Sequence, residues 1–307
     1  MSWTFLLIAT LQAGQAPRRS PPAVDTAVTA ASLIAADSVL AATAARGGAS
    51  VVLDAFDPDG ALLFTGQPIL RADSGRAAFM ARYGAPSSYE WRPLHAIVST
   101  DGRLGCTVGL SSFHNARDSV PTDHRGVYET CWRRGAEGRW HVVAQQRSDS
   151  PPAAPNEEHA RRSGWPHSAT ASLAGEQRIQ ALDTDAEFAR VAALPAGPGP
   201  AFVQFAAEDG MLLGGETFSS GRREIESAFD GFPADRYIVW QPDRRFGAAS
   251  GGLAYTVGHS DHIPRDGKVG ARSYGKFLSV WRQEPDGRWR FVLDLGSVRA
   301  TGQTAGS

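Results

Sequence analysis

The chain has 307 residues, of which 42% are hydrophobic and 21% are charged, which is enough material for two cores of ordinary domain size. Its formal net charge of −1 and its dispersed arginines provide no basic face, which argues against a nucleic-acid partner. We find no apolar run of about 20 residues that predicts a membrane span, and no phosphate loop, dinucleotide fingerprint or zinc spacing that indicates a cofactor or a metal.

The amino terminus resembles a secretion signal. Residues 1–16, MSWTFLLIATLQAGQA, combine a short apolar stretch from Trp3 to Leu11 with small residues suited to signal peptidase. This pattern predicts a secreted or periplasmic protein. The alternative is a frayed apolar amino terminus that is not cleaved.

Each half of the chain begins with helices and continues with strands. Helical spacing predicts helices over 27–46 and 175–193, and shorter helices that begin near Arg76 and Arg223. Apolar alternation then predicts strands around 94–99, 103–112, 126–134 and 139–147. Helices that precede a meandering sheet indicate an α+β fold.

One nine-residue motif occurs twice in the chain. WRRGAEGRW at 132–140 recurs as WRQEPDGRW at 281–289, and the same offset of 149 relates Trp91-Arg92-Pro93 to Trp240-Gln241-Pro242. A constant offset over so many positions indicates two copies of one domain. The predicted organisation is a signal peptide at 1–16, a first domain at 24–148, a linker at 149–174, a second domain at 175–299 and a disordered tail at 300–307.

The order of motifs in each half resembles a known family. The resemblance rests on the order of a helix, a DG turn, a W-x-P strand, LGCTVG or LAYTVG, and then Y-x-x-x-W-R-x-x-x-x-G-R-W. Both halves resemble the SnoaL-like branch of the nuclear-transport-factor-2-like superfamily, over 30–148 and 176–297. The resemblance implies two tandem cone-shaped domains, each a curved antiparallel sheet wrapped around N-terminal helices to leave a pocket. Members of this branch include isomerases, cyclases, dehydratases and ligand binders, so the fold does not settle the activity.

The ketosteroid isomerase relatives in this superfamily imply a carboxylate base at the end of the first strand and an oxyanion-binding Asp on a later strand. The matching positions here are Phe64 and Gly214 for the base, and Thr130 and Ser279 for the Asp. Phenylalanine and glycine cannot accept a proton. The sequence therefore argues against isomerase chemistry of that kind in either half.

The last hairpin predicts the lining of a pocket. If the hairpin is symmetric about Pro285, Trp281 faces Trp289 and Ser279 faces Phe291, so that one sheet face is aromatic and covers the helices. The predicted ligand-binding residues of the second domain are Thr256, Phe277, Ser279, Trp281, Trp289 and Phe291. Packing of the core alone is the alternative explanation for these aromatic residues.

The same register predicts a row of His259, Lys276 and Asp294 on the opposite, mixed face. Three functions therefore stay open. The first is binding of a small apolar ligand in the second domain, the second is an enzyme of isomerase, cyclase or hydratase type that uses Tyr255, His259 or Asp294, and the third is a structural or assembly module. His259 and Asp261 share a strand face as two metal ligands would, but a polar strand end that runs into a loop is the better explanation, and we predict no metal site.

Two further predictions concern the outer sheet faces. Cys106 and Cys131 fall opposite each other on neighbouring strands, so an oxidising compartment would join them as a cross-strand disulfide. Apolar side chains on the outer faces need a cover, which predicts that the two domains pack as an intramolecular pseudo-dimer. These side chains are Val108, Val127 and Val143 in the first domain and Val257, Leu278 and Val292 in the second.

Overall fold

The computed structural model describes residues 24–117, 121–150, 164–214, 217–266 and 272–298. The predicted signal peptide and carboxy-terminal tail lie outside these residues, as does half of the predicted linker, residues 151–163. The fold is α+β with two sheets, as the sequence predicted.

The first half contains helices α1 (Thr26–Gly47), α2 (Ser50–Asp54) and α3 (Ala72–Tyr83), and strands β1 (Phe56–Leu63), β2 (Leu70–Arg71), β3 (Ser88–Val98), β4 (Leu104–Asn115), β5 (Thr122–Arg134) and β6 (Trp140–Ser150). Its six strands are ordered β2-β1-β6-β5-β4-β3. The sheet is mixed rather than purely antiparallel, because β1 pairs in parallel with β6. This follows from the path of the chain, which leaves β1 through α3, enters the sheet at the far edge and returns by three antiparallel connections.

The second half contains helices α4 (Gln177–Ala192), α5 (Pro198–Phe205) and α6 (Gly221–Ser227), and strands β7 (Ala206–Gly214), β8 (Thr217–Ser220), β9 (Arg236–Pro242), β10 (Ala248–Ser250), β11 (Leu253–Pro264), β12 (Ser273–Gln283) and β13 (Trp289–Val298). Its sheet is ordered β10-β11-β12-β13-β7-β8, and β9 pairs with β11 beside β10. Here β7 and β13 form the parallel pair. The sequence did not predict the short helices α2 and α5.

Helix α1 packs one stripe of side chains onto its sheet. Asp25 begins the helix by accepting hydrogen bonds from the amides of Ala27 and Val28. The buried stripe follows helical spacing and consists of Thr29, Leu33, Asp37, Leu40 and Ala44. The helix is also long and apolar enough to cross a membrane by length and composition, with a mean hydropathy of 1.6 over a window that is 28% buried. This differs from the expectation that no segment of the chain is apolar over about 20 residues.

The register of the last hairpin differs from the prediction. Trp281 pairs with Phe291 and Gln283 with Trp289, because a bulge lies between Val280 and Trp281 and the loop is not centred on Pro285. The first half repeats this pattern, with Trp132 opposite Val142.

The bulge moves Asp294 to the other face of the sheet. Asp294 pairs with Ser279, whereas Lys276 pairs with Ser297. The predicted row of His259, Lys276 and Asp294 is therefore wrong, although His259 does pair with Lys276.

The two sheets pack against each other through one apolar layer. The layer includes Val108, Val127, Val143, Val257, Leu278 and Val292, together with Cys106 and Cys131, which pair across β4 and β5 and form a disulfide. Glu129 is buried in the same region, and burial raises the pKa of its carboxyl well above the usual range.

Polar contacts also join the two halves. The Lys276 ammonium donates to the backbone oxygens of Phe64 and Gln67, at 2.7 and 2.6 Å. The Gln146 amide donates to the backbone oxygen of Lys276 and to the Ser297 hydroxyl, each at 3.2 Å. Because these bonds cross from one half to the other, they fix how the halves are oriented.

The described end of the predicted linker packs on both halves. Trp165 stacks on His95 and meets Phe218 edge to face. The amide of Ala169 donates to the backbone oxygen of Val98 at 3.0 Å. This part of the chain therefore belongs to the packed structure.

Candidate functional site

The concave side of each sheet holds a buried aspartate from the long helix. In the first half, the Asp37 carboxylate accepts hydrogen bonds from the Trp91 indole and the Tyr128 hydroxyl, each at 2.7 Å. The Trp132 indole donates to the Thr107 hydroxyl at 3.0 Å. Both Asp37 oxygens thus have a donor, as a buried carboxylate requires.

The second half repeats this arrangement with one donor missing. The Trp240 indole donates to Asp185 Oδ1 at 2.9 Å, and the Trp281 indole donates to the Thr256 hydroxyl at 2.8 Å. Phe277 stands where the first half has Tyr128, 149 residues earlier. Within the described part of the chain, Asp185 Oδ2 is buried and accepts no hydrogen bond of normal geometry.

A second carboxyl lies near Asp185. Asp294 accepts a hydrogen bond from the Ser279 hydroxyl at 3.0 Å, and it takes the place of Gln145, whose amide donates to Thr130 in the first half at 3.1 Å. Asp294 retains 7% exposure although its strand is paired on both sides. Its side chain therefore reaches the space between sheet and helices.

Burial determines the titration of both carboxyls. Desolvation raises the pKa of Asp185 to about 6, against the nearby Thr256 hydroxyl and the Trp240 hydrogen bond, which lower it. Desolvation likewise raises the pKa of Asp294 to about 7; the bond from Ser279 opposes this rise, and the negative charge of Asp185 adds to it. Asp294 therefore changes its protonation near neutral pH.

In each half, we call the space between the concave side of the sheet and the helices the cone. The cone of the first half is filled by its own side chains. Arg147 is 1% exposed and its guanidinium lies 3.5 Å from the centroid of the Tyr89 ring. Tyr83 and Phe113 surround the same guanidinium at 5.0 and 5.8 Å. Phe64 packs edge to face on Tyr83 and closes the remaining space.

The cone of the second half is less filled, because smaller side chains replace four of these residues. The corresponding pairs, first half then second, are Phe64 and Gly214, Tyr89 and Ile238, Phe113 and His262, and Arg147 and Gly296. A Cβ added at Gly214 or at Gly296 would meet nothing within 4 Å. Gly296 is exposed and the other three are half-buried, whereas all four first-half residues are buried.

The chain matches no protein-family model and no curated protein sequence. Among solved structures, a ketosteroid isomerase-like protein from Erwinia carotovora atroseptica is 17% identical, covering 39% of this chain and 95% of that chain with a TM-score of 0.32. An NTF2-like protein with a cystatin-like fold from Novosphingobium aromaticivorans is 20% identical, covering 42% and 83% with a TM-score of 0.32. An LEH-like epoxide hydrolase from M. tuberculosis is 14% identical, covering 41% and 82% with a TM-score of 0.30. These similarities concern the fold alone.

The predicted ligand-binding residues divide into two groups. Trp281 and Phe291 are fully buried and pack with Phe188 of α4, and Thr256 is occupied by the Trp281 indole. Trp289 is also mostly buried, and its indole donates to Gln180 at 3.2 Å. Trp281, Phe291 and Thr256 therefore belong to the packed core beneath the cone, whereas Trp289 also lines a surface groove of about 820 Å³ beside Gln180.

The other two predicted residues lie beside the open cone. Ser279 binds Asp294, and Phe277 is on the same strand face two residues away. A Cβ on Gly258 would lie 2.6 Å from the Phe277 ring, so this glycine lets the ring lie flat on the sheet.

The structure does not bring the three proposed acid/base residues together. The Tyr255 hydroxyl lies between the sheets and donates to the backbone oxygen of Val143 at 3.4 Å. His259 and Asp261 line a groove of about 620 Å³ on the outer surface, beside the ion pair of Arg245 and Asp243. Of the three, Asp294 alone faces the cone.

The sequence did contain a signal for this site. Comparison of the halves at the offset of 149 shows Tyr128 replaced by Phe277, Gln145 by Asp294 and Arg147 by Gly296. These exchanges change donors, charge and volume at one place, whereas the aromatic pattern used for the prediction mostly reflects the core.

Proposed function

We propose that the second half binds a small, mainly apolar molecule in its open cone, and that the first half is its structural support. The observation that carries this proposal is the exchange of Phe64 and Arg147 for Gly214 and Gly296, which removes two large side chains from an otherwise equivalent cone. A concave space with apolar walls and a few polar groups is typical of ligand sites. The apolar wall includes Phe277 and Ile238, and Asp294 with Ser279 supplies the polar group.

The test refills the cone with the residue of the first half. Gly214→Phe should fold and should lose binding to a panel of small apolar compounds, measured by tryptophan fluorescence and calorimetry. Gly164→Phe is the matched control, because Gly164 also has open space around its Cβ position but lies in the connecting segment. Equal binding by both variants would refute the proposal.

A second candidate function is proton transfer on a bound molecule. Asp294 favours it, since a carboxyl with a pKa of about 7 inside a cone suits general acid or base work at neutral pH. This candidate requires that the protein converts a bound compound, and that Asp294→Asn abolishes the conversion while the compound still binds. Binding without turnover across the panel would leave the protein as a binder.

We also propose a secreted or periplasmic location. The apolar amino terminus and the disulfide between Cys106 and Cys131 support it, because disulfides persist in oxidising compartments. Cell fractionation with amino-terminal sequencing is the test. Intact Met1 on a protein found in the cytoplasm would contradict it.

A further inference from the structure

The polar site of the second half has more acceptors than donors. Asp185 and Asp294 bring four carboxyl oxygens, whereas the hydrogen bonds to them come from the Trp240 indole and the Ser279 hydroxyl, with the Thr256 hydroxyl close to Asp185. Asp185 Oδ2 is buried and has no hydrogen bond of normal geometry among the described residues. An acceptor buried in this way is costly until a donor reaches the site.

Both exchanges from the first half act in the same direction. Phe277 lacks the hydroxyl with which Tyr128 binds Asp37, and Asp294 lacks the amide donor with which Gln145 binds Thr130. One exchange removes a donor, and the other replaces a donor by a negative charge. Among the described residues, the second half therefore offers fewer hydrogen-bond donors to its buried carboxyls than the first half does.

The first half shows what such a cone can hold. Its cone contains a cation, the Arg147 guanidinium, in contact with the faces of Tyr89 and Tyr83. Gly296 leaves the corresponding volume open in the second half, two residues along the same strand face from Asp294. A free organic cation placed there would occupy the space of the missing side chain.

Resting on the proposed function, we propose that the ligand of the second half is a small organic cation, an amine or guanidine on an apolar body, whose charged group is held by Asp294. The apolar body lies along Phe277 and Ile238, and the charged group lies deep enough to offset the negative charges of both carboxyls. Burial of two carboxylates next to one cation is favourable only when the cation donates hydrogen bonds to them, and an ammonium has three donors.

Binding of a cation is coupled to loss of protons from the carboxyls. With a pKa of about 7 for Asp294 and about 6 for Asp185, both are largely protonated at pH 5 and largely ionised at pH 8. A cation binds the ionised form, so its affinity rises with pH, roughly tenfold per unit below pH 7 if one proton is released. A neutral ligand that accepts a hydrogen bond from a protonated carboxyl shows the opposite trend.

Other titratable or charged groups surround this pair. From α4 there is Asp185 itself, from β9 Arg236 at the rim, from β11 His262, and from β5 on the far side of the sheet Glu129. Burial lowers the pKa of His262, so the histidine is neutral across the upper part of this range. The carboxyl pair therefore dominates the expected pH dependence between pH 6 and 8.

The experiment compares amines with alcohols of the same shape. The probes are butylamine, benzylamine and 2-phenylethylamine against butanol, benzyl alcohol and 2-phenylethanol, measured by calorimetry with the full chain at pH 5.5 and 8.0. We expect an amine to bind at pH 8.0 at least about tenfold more tightly than its alcohol, and about thirtyfold more tightly than the same amine binds at pH 5.5 if one proton is released. Repeating the titrations in two buffers of different ionisation enthalpy gives the number of protons released.

Variants connect the effect to Asp294. Asp294→Asn should weaken amine binding by about tenfold or more and leave alcohol binding unchanged, and Asp294→Gln provides a second variant that copies the first half. Asp183→Asn is the control, because Asp183 is an exposed carboxylate on α4, two residues from Asp185, and pairs with Arg244 at 2.8 Å. It should change nothing.

The outcomes separate this inference from the proposed function. If alcohols bind as well as amines, or if amine binding depends on neither pH nor Asp294, the ligand is not recognised as a cation. If Gly214→Phe still abolishes binding in that case, the proposal that the cone binds a ligand stands. Absence of binding by every probe and by the apolar panel would remove both.

Discussion

At the scale of single residues, Asp294 opposes folding at neutral and alkaline pH. Its pKa is about 7 in the folded chain and near 4 in an unfolded one, so the unfolded state releases its proton first as the pH rises. The contribution of Asp294 therefore reduces stability progressively from pH 4 to pH 7 and is constant above that. The full effect is on the order of 3–4 kcal/mol at about 1.4 kcal/mol per unit.

Asp294→Asn should therefore raise the free energy of unfolding at pH 8 and change it little at pH 4. Urea titrations at several pH values would measure this difference. The mirror position supplies the control, since Gln145→Asn leaves a neutral amide neutral and should add no pH dependence. A constant difference between Asp294→Asn and the original chain at all pH values would contradict the assignment.

The Tyr128 hydroxyl predicts what a donor would do in the second half. Phe277→Tyr should place a hydroxyl against Asp185 as Tyr128 does against Asp37, because both rings lie over a glycine on the neighbouring strand, Gly258 and Gly109. We expect a gain of about 1–2 kcal/mol and a lower pKa for Asp185.

Tyr128→Phe is the reverse experiment. It should cost about 1–3 kcal/mol, since it leaves one oxygen of buried Asp37 without a donor. Thermal unfolding of both variants would show whether the signs are opposite, as we expect. Losses of equal size would indicate that the hydroxyl does not fit in the second half.

At the scale of elements, the repeated Trp phrase predicts the terminal hairpins but not their register. The offset of 149 locates both hairpins and places their aromatic side on the helices, where Phe188 and Phe202 pack with Phe291. The bulge at Trp281 depends on packing beyond the hairpin, and no residue in the phrase marks it. One extra residue reverses the faces of a strand. The bulge therefore places Asp294 on the face that covers the helices, whereas the predicted register had placed it on the opposite face.

Helix prediction located both long helices and the short ones at Arg76 and Arg223, and missed two other short helices. The predicted helices over 27–46 and 175–193 correspond to Thr26–Gly47 and Gln177–Ala192. Ser50–Asp54 and Pro198–Phe205 have five and eight residues, too few to show a helical period. Tertiary packing therefore decides their conformation, as Phe202 and Phe205 against Phe188 illustrate.

The pair of β4 and β5 carries a covalent link that the second half replaces by Tyr255 and Val280. Cys106 and Cys131 are separated by 25 residues in sequence, and a loop of this size stabilises a fold by about 3 kcal/mol when closed. The double variant Cys106→Ala/Cys131→Ala should lose about that amount in urea unfolding. Thiol titration of the denatured, unreduced protein should detect no free thiol, and two free thiols would disprove the link in the isolated protein.

At the scale of the whole molecule, the apolar layer between the sheets predicts one compact body. A folded chain of this length has a radius of gyration of about 19 Å, and two domains on a free tether would have a distinctly larger one. Small-angle scattering should give a value close to the compact estimate, and the molecular mass should be that of a monomer. An elongated, two-body scattering profile would contradict it.

The residues of the candidate site can be recognised only when the two halves are compared position by position. Gly214 and Gly296 are ordinary strand residues until Phe64 and Arg147 are set beside them. The repeat predicts which residues correspond, whereas the structure shows that the side chains of Phe64 and Arg147 fill the first cone. The missing side-chain volume of the second half can be recognised only by comparison with the first half, which retains the large side chains.

The position of Lys276 makes the junction of the halves accessible to chemical labelling. The chain has two lysines, and the ammonium of Lys276 is fully buried against the backbone of Phe64 and Gln67. An acylating reagent can reach this amine only while the halves are parted, so the rate of its modification reports the opening equilibrium of the junction. Mass spectrometry of the peptide that contains Lys276 would thus follow, in a native sample, how often the two sheets separate.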